Sequence, residues 1–211
     1  MATFPEKATY TYDDLVAVLR ILRGPDGCPW DRVQTHASDR RNFLEEAYEA
    51  AEAFDRDDPD AMCEELGDVL LQVLFNIHIE EDAGRFTTDD VTDHIVRKLI
   101  YRHPHVFGDV RADNADEVMV NWERLKRAEK GQQTVADTLD AVARSLPARW
   151  RAEKLLKRAG LDAPDAAVPD KLADAVAALR RASDESQRAE DALYRACDAF
   201  LARYRAVEEE A

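Results

Sequence analysis

The sequence predicts an all-α protein, a bundle with a four-helix core followed by a helical carboxy-terminal extension. Three observations predict it. Only seven glycines and eight prolines punctuate 211 residues. Apolar residues recur three and four positions apart, the spacing that lines one face of a helix. Hydroxyl-bearing or acidic residues stand where periodic segments begin, several followed three positions on by an acid.

A first helix is expected over about 11–23, where Thr11 and Asp14 suit a capping box and Leu15, Val18, Leu19 and Leu22 make the apolar stripe. Gly24 ends it. Residues 24–38 read as a loop, because Pro25-Asp26-Gly27 and Cys28-Pro29 cannot continue a helix. A second helix follows over 39–55. Asp58 and Pro59 are an N-cap and a first-turn proline, and open a third helix that ends near Gly84. Its centre, Val69 to Phe75, reads as apolar all round, the pattern of a buried bundle helix. Thr87 and Asp90 start a fourth helix, which His103-Pro104-His105 stops near residue 101. A fifth runs from after Asn114 to about 130, where Gly131 can supply a left-handed cap. Residues 132–148 read as a linker with one short amphipathic turn, 149–159 as a short basic helix ending at Gly160, and 161–169 as a loop. An Ala-, Arg- and Glu-rich helix is expected over 170–209. The organisation is therefore a main domain at 1–131, a linker with a short helix at 132–169, and a helical extension at 170–211.

Composition narrows the partners. A net charge of −15 excludes nucleic-acid backbone or anionic lipid as a general binding target, since those need basic surface. Hydrophobic residues make up 45% of the chain, ample for a core. The cysteines, Cys28, Cys63 and Cys197, are odd in number and far apart, which suits free thiols in a reducing cytosol. The first thirty residues show no basic head before an apolar stretch, and no run approaches a membrane span. A cytoplasmic protein without membrane contact is expected.

Chemistry concentrates in two acidic strings. Glu46 and Glu49 stand three residues apart, as do Glu65 and Asp68, and on a helix that spacing puts each pair on one face. Two such helices packed antiparallel aim four carboxylates at one another. Like charges held so closely raise one another's pKa and persist beside a cation. The donors are all oxygens, which favours Mg2+, with Mn2+ as a substitute, over zinc or copper. Solvated charge is the alternative for any single pair, but Ala47, Ala50, Ala51, Phe43 and Phe54 surround the first string and an apolar run follows the second.

These residues resemble the MazG family of all-α nucleoside triphosphate pyrophosphohydrolases. The likeness covers about residues 11–130. It runs through Gly24-Pro25-Asp26-Gly27-Cys28-Pro29-Trp30-Asp31, Glu45-Glu46 with Glu49, Glu65 with Asp68, and Glu80 to Phe86. It continues through Lys98 to Asp109 and Asn121 to Lys126. The resemblance implies a metal-dependent hydrolysis of nucleoside triphosphates to monophosphate and pyrophosphate, which clears nucleotide pools. It implies Glu46, Glu49, Glu65 and Asp68 as metal ligands. Glu45 is then an outer partner, a second-ion ligand or, like Glu46, a candidate base for the attacking water. It also implies Lys98 and Arg102 as phosphate contacts, the alternative being a solvated basic face at a helix C-terminus. Trp122 with Lys126 is implied as a stacking indole beside a second phosphate-contacting amine, the alternative for Trp122 being core packing. A homodimer is implied too, with Val69, Leu70, Val73, Leu74 and Ile77 supplying apolar surface. Trp30 either covers the base or plugs the bundle, and the plug is preferred. His103 and His105 lack a third ligand in spacing for zinc and read as a structural turn or phosphate contact.

Two other readings stand beside this one. Related helical pyrophosphohydrolases acting on dUTP, dCTP or phosphoribosyl-ATP share the acid logic, and a non-catalytic helical interaction module would carry the acids as surface. No GxxxxGK[ST] string is present, which disfavours a P-loop ATPase. The tail reads as a shortened second copy of the domain or an unrelated extension. Ala189 to Arg195, with Phe200, Arg203 and Tyr204, weakly echoes Asp93 to Arg102, but Ala199 stands where Lys98 should recur and the paired acids do not. Asp184-Glu185 and Glu208-Glu209-Glu210 read as solvated charge.

Overall fold

The computed structural model describes residues 4–209, with side chains as far as Arg203. The expectations for Tyr204 and for Glu208-Glu209-Glu210 lie outside the described side chains. The all-α class holds: the described residues form ten helices and no strand. None of these helices is long and apolar enough to cross a membrane. Two compact units divide at Phe107 and Gly108.

The first unit holds α1 (Tyr12–Arg23), α2 (Pro29–Val33), α3 (His36–Asp55), α4 (Pro59–Asp82), α5 (Thr88–Arg102) and α6 (Pro104–Phe107). Thr11 and Asp14 cap α1 reciprocally, Thr87 and Asp90 cap α5, and the Asp58 carboxylate accepts from the first amides of α4. The expected loop at 24–38 is not wholly irregular. Pro29 sits in the first turn of α2, where its missing N–H costs nothing. Thr35 and Ser38 form a capping box that starts α3 at His36, ahead of the expected 39. Gly24 ends α1 in an extended conformation, and the close approach falls instead at Gly27. A Cβ there would lie 2.2 Å from the carbonyl oxygens of both Ile21 and Leu22. The loop can fold back against α1 because that position carries no side chain.

α3 and α4 run antiparallel. His36 meets Glu80, Asp39 meets Asn76, Glu46 feels Asp68 and Glu49 lies beside Glu65, so the partner's number falls as the first rises. Leu19, which is 1% exposed, packs with Val16 of α1 against Leu74, Phe75 and Ile77 of α4 to form the core. The reading of α4 as apolar all round is corrected here. Asp68, Gln72, Asn76 and Glu80 recur every four residues and make a polar stripe through the apolar run. Leu74 and Ile77 are buried within the chain, Val69 and Val73 are half-buried, and Leu70 alone of the five proposed dimer residues is exposed.

The second unit holds α7 (Ala115–Glu129), α8 (Val135–Asp140), α9 (Ala148–Ala159) and α10 (Asp170–Glu209). α8 is the short turn expected within 132–148. Gly160 closes α9 in the left-handed region at φ 68°, and the Arg158 guanidinium donates to the Thr138 carbonyl, tying α9 to α8. Arg180 of α10 donates to the carbonyls of Leu161 (2.8 Å) and Ala163 (3.1 Å) and so closes the loop after α9.

At the start of α3 the helix pair is joined by a charged network. His36 donates from Nδ1 to Asn76 Oδ1 at 2.7 Å and from Nε2 to Glu80 Oε1, so both ring nitrogens face acceptors, as an imidazolium requires. Arg85 donates to Glu80 from Nε and, at 2.7 Å, from Nη2. Arg85 and then His36 hold the Glu80 carboxyl down at about 2, against an ordinary 4.5. The bonds to Asn76 and then Glu80 raise His36 above its ordinary 6.5. Glu80 therefore contributes stability above pH 4.5 and loses it as pH falls towards 2, while His36 contributes below pH 6.5 and loses it as pH rises through its raised value. Thermal melts of wild type, Glu80→Gln and His36→Gln from about pH 3 to about pH 9 check this. The wild-type advantage is expected to be widest between the two ordinary values, shrinking on the acid side for Glu80→Gln and on the alkaline side for His36→Gln. A gap that ignores pH would show that the network carries no charge.

Candidate functional site

Away from that network the same two helices bring acids together. One carboxylate oxygen from each of Glu46, Glu49 and Glu65 lies within 4.8 Å of the others. The Asp68 charge bears on both Glu46 and Glu65. Burial first, then Asp68, Glu49 and Glu65, lifts the Glu46 carboxyl above its ordinary range, and a hydrogen bond with Glu49 adds to the rise. Glu65 is lifted too, by burial and then by Glu49, Glu64 and Asp68, with Arg56 opposing. Helix packing thus imposes a clustering that the carboxylates themselves resist. A divalent cation reverses the sign of that interaction, and a set made only of carboxylate oxygens suits a hard ion. The donor chemistry fits Mg2+ or Mn2+.

The other expected residues are placed as follows. Glu45 is exposed and pairs with Arg41 at 3.6 Å, outside the converging trio. Lys98 is half-buried on α5, and Arg102, one turn on, is 5% exposed, so a solvated basic face does not describe it. Trp122 and Lys126 stand on α7 of the second unit. The Lys126 ammonium lies 4.3 Å from the Trp122 ring centroid and 3.1 Å from Glu123, so one face of the indole is already covered. His103 donates from Nδ1 to the Leu99 carbonyl at 2.6 Å, which serves the end of α5. Its ring centroid is 5.6 Å from that of His105. The three cysteines are free thiols.

Sequence reasoning missed what lies between the acids and the charged network. Asp39 is 2% exposed and accepts from Asn76 at 2.6 Å, and a flipped Gln72 amide donates to both of its oxygens at 3.0 Å. Asn42 precedes Glu46 by one turn on α3, as Gln72 follows Asp68 by one turn on α4. Asp39, Asn42, Gln72, Phe75 and Trp30 line a cavity of about 130 Å³. Trp30 is 57% exposed at that cavity and does not plug the bundle. The four-residue spacing from Asp68 to Glu80 was the signal that could have found this stripe.

Comparison with known proteins bears on the same residues. The MazG nucleotide pyrophosphohydrolase domain matches residues 34–107, which include all four clustered acids. The nucleoside triphosphate pyrophosphohydrolase/pyrophosphatase MazG of Thermotoga maritima is 37% identical over 190 residues, 88% of this chain and 72% of its own length. The chain belongs to the MazG family. An Escherichia coli nucleoside triphosphate pyrophosphohydrolase is 44% identical over 147 residues, 69% of this chain and 56% of the relative. An uncharacterised Bacillus subtilis protein, YabN, is 49% identical over 153 residues, 72% of this chain and 31% of that protein. The chain thus spans about a third to just over half of these last two relatives. The MazG domain match ends at Phe107, where the first unit also ends, so Trp122 and Lys126 lie beyond it.

Crowding at the acids has a measurable consequence. Glu46→Gln removes one charge from the cluster without changing its size, so in metal-stripped buffer its melting temperature is expected to rise by a few degrees. Added Mg2+ should stabilise wild type more than the variant. A variant that melts lower than wild type without metal would show that the cluster is not under electrostatic strain.

Proposed function

We propose that this protein is a Mg2+-dependent nucleoside triphosphate pyrophosphohydrolase, accepting Mn2+ in place of Mg2+, that releases nucleoside monophosphate and pyrophosphate. The observation that carries the reading is the convergence of Glu46, Glu49 and Glu65, with Asp68 in electrostatic reach, within a MazG domain. Glu46, Glu49, Glu65 and Asp68 are the proposed metal ligands. The bound ion would hold triphosphate oxygens, offset their charge and lower the pKa of a coordinated water. Glu45 and Glu46 are the candidate bases for the attacking water, Glu45 being otherwise an outer partner or second-ion ligand. Lys98 and Arg102 hold phosphate charge. Lys126 adds a further cation, and Trp122 is the proposed stacking indole. The cavity at Trp30, one helical turn from the acids, is large enough for part of a base. Catalysis is assigned to residues 1–131, with the helical tail a degenerate second copy that contributes stability or contacts. The setting we propose is the cytoplasm, with no nucleic-acid or membrane partner.

A panel of nucleoside triphosphates incubated with Mg2+ and protein tests the reading, with monophosphate and pyrophosphate identified as products. Glu49→Ala and Asp68→Ala should each lower turnover roughly a hundredfold or more while the helical circular dichroism is unchanged. Wild-type turnover in either variant would remove the metal assignment.

We propose that the protein is a homodimer. The first unit exposes Leu44 and Tyr48 of α3, Leu66 and Leu70 of α4, and Leu99 and Tyr101 of α5, more apolar surface than scattered side chains explain. Light scattering at micromolar concentration should give twice the chain mass, and Leu66→Glu with Leu70→Glu should halve it. A strictly monomeric wild type would overturn the assignment.

A further inference from the structure

One helix of the second unit runs against the sign of the chain. α9 carries Arg149, Arg151, Lys154, Lys157 and Arg158 against Glu153 alone, five positive charges to one negative, in a protein whose net charge is −15. Three of those cations turn towards one place. Lys154, Lys157 and Arg158 of α9, with Lys126 and Arg127 of α7, line a cavity of about 430 Å³ in which Glu123 is the sole acid.

The cavity is partly built. Arg158 is anchored through its bond to the Thr138 carbonyl, so its guanidinium is held at the wall rather than left to solvent. Lys126 is half-buried and positioned by Glu123 on one side and the Trp122 ring on the other. Glu123 offsets one of the five cations, and the other four meet no acid among the lining residues. Bringing like charges together costs free energy unless an anion joins them.

We propose that this cavity binds a condensed phosphate chain, pyrophosphate or a triphosphate, without a metal ion. A single carboxylate would leave most of the charge uncompensated. A nucleic-acid strand would meet the field of an acidic protein over its length, whereas a chain of two or three phosphates concentrates its charge within the cavity. Lysine ammonium groups supply point charge and the arginine forks supply paired donors to phosphate oxygens. A volume of about 430 Å³ falls in the range of small-molecule sites. The acid cluster of the first unit has the opposite requirement, since it takes an anion only with a cation between. Lys126 is the one residue lining this cavity that also belongs to the proposed hydrolytic site, and the inference does not depend on hydrolysis.

Full-length protein titrated calorimetrically in metal-stripped buffer tests it. Pyrophosphate, tripolyphosphate and ATP are the probes, with sulfate at equal ionic strength as the control. All three phosphate compounds are expected to bind, more weakly as salt rises. The double variant Lys154→Gln with Lys157→Gln, both exposed positions, should bind at least about tenfold more weakly. Glu49→Gln should bind as wild type does. ATP binding no tighter than tripolyphosphate assigns the site to the phosphate chain alone, and tighter ATP binding assigns it to a nucleotide; either supports the proposal. No binding without metal, equal binding of sulfate, affinity indifferent to the lysine changes, or loss in Glu49→Gln would each overturn it. Turnover with Mg2+, measured separately, reports on the acids, so failure here and failure of the hydrolase reading remain distinct.

Discussion

The antiparallel contact between α3 and α4 joins opposite charges where α3 begins and crowds like charges further along. His36, Glu80 and Arg85 form a network in which each ion has a partner, and Asn76 and Gln72 pass hydrogen bonds on to the buried Asp39. Glu46, Glu49 and Glu65 converge, and Arg56 opposes only part of the crowding at Glu65. The attractive network helps fix the register that the repulsive cluster requires, because a slide of either helix by one turn would lose it. The Leu19 and Leu74 contact adds a non-directional clamp from α1. Binding groups that are held in place before a ligand arrives need little reorganisation when it does. The cost of crowding the acids is met by packing and by the far network, and a cation bound among them would offset it.

What could be read in the sequence was the local part of this arrangement. The spacing of Glu46 with Glu49, and of Glu65 with Asp68, is a property of a single helix, so each pair was visible without knowing where its partner lay. The helix starts were visible for the same reason, since Thr11, Asp58 and Thr87 cap through groups two or three residues away. The charged network was not, because His36, Asp39, Asn76 and Glu80 acquire meaning only across two helices. Gln72 and Asn76 stand in and beside an apolar run that masks them, and only their period of four with Asp68 and Glu80 places them on one face of α4. The same assignment to faces divides the apolar residues: Leu74 and Ile77 face the core, while Leu66 and Leu70 are exposed. Whether Trp30 covers a base or plugs the bundle could not be read from its loop, and the short α2 leaves it more than half exposed.

Each unit holds a local concentration of charge. Acids gather in the groove of the first, and cations on α9 and around the cavity of the second. The paired acids do not recur in the tail, yet the second unit is not featureless, for α8 and α9 are tied by a side chain to a carbonyl and close round their own buried residues, Val142, Ala152 and Leu161. A helical segment that had kept only bulk would have no reason to gather basic side chains on one element of an acidic chain. The basic character of α9 was legible in the sequence, but the cavity was not, since Lys126 and Lys157 are far apart along it.

On the hydrolase reading, these opposite fields fix what each site can accept. A triphosphate carries several negative charges, and the groove between α3 and α4 presents three converging carboxylates and a fourth in reach. Without a cation both partners repel, and partial burial, together with their acidic neighbours, raises the Glu46 and Glu65 carboxyls. A cation changes the sign of every one of these terms at once. The same four acids would hold the ion that offsets triphosphate charge, and without it they would repel a free phosphate chain. The cavity lined by α9 imposes the converse selection, because an ion-neutralised phosphate chain has less charge to offer its lysines and arginines. Two binding modes for one chemical group, separated by the presence of a metal ion, are then set by the sign of the side chains that line each site.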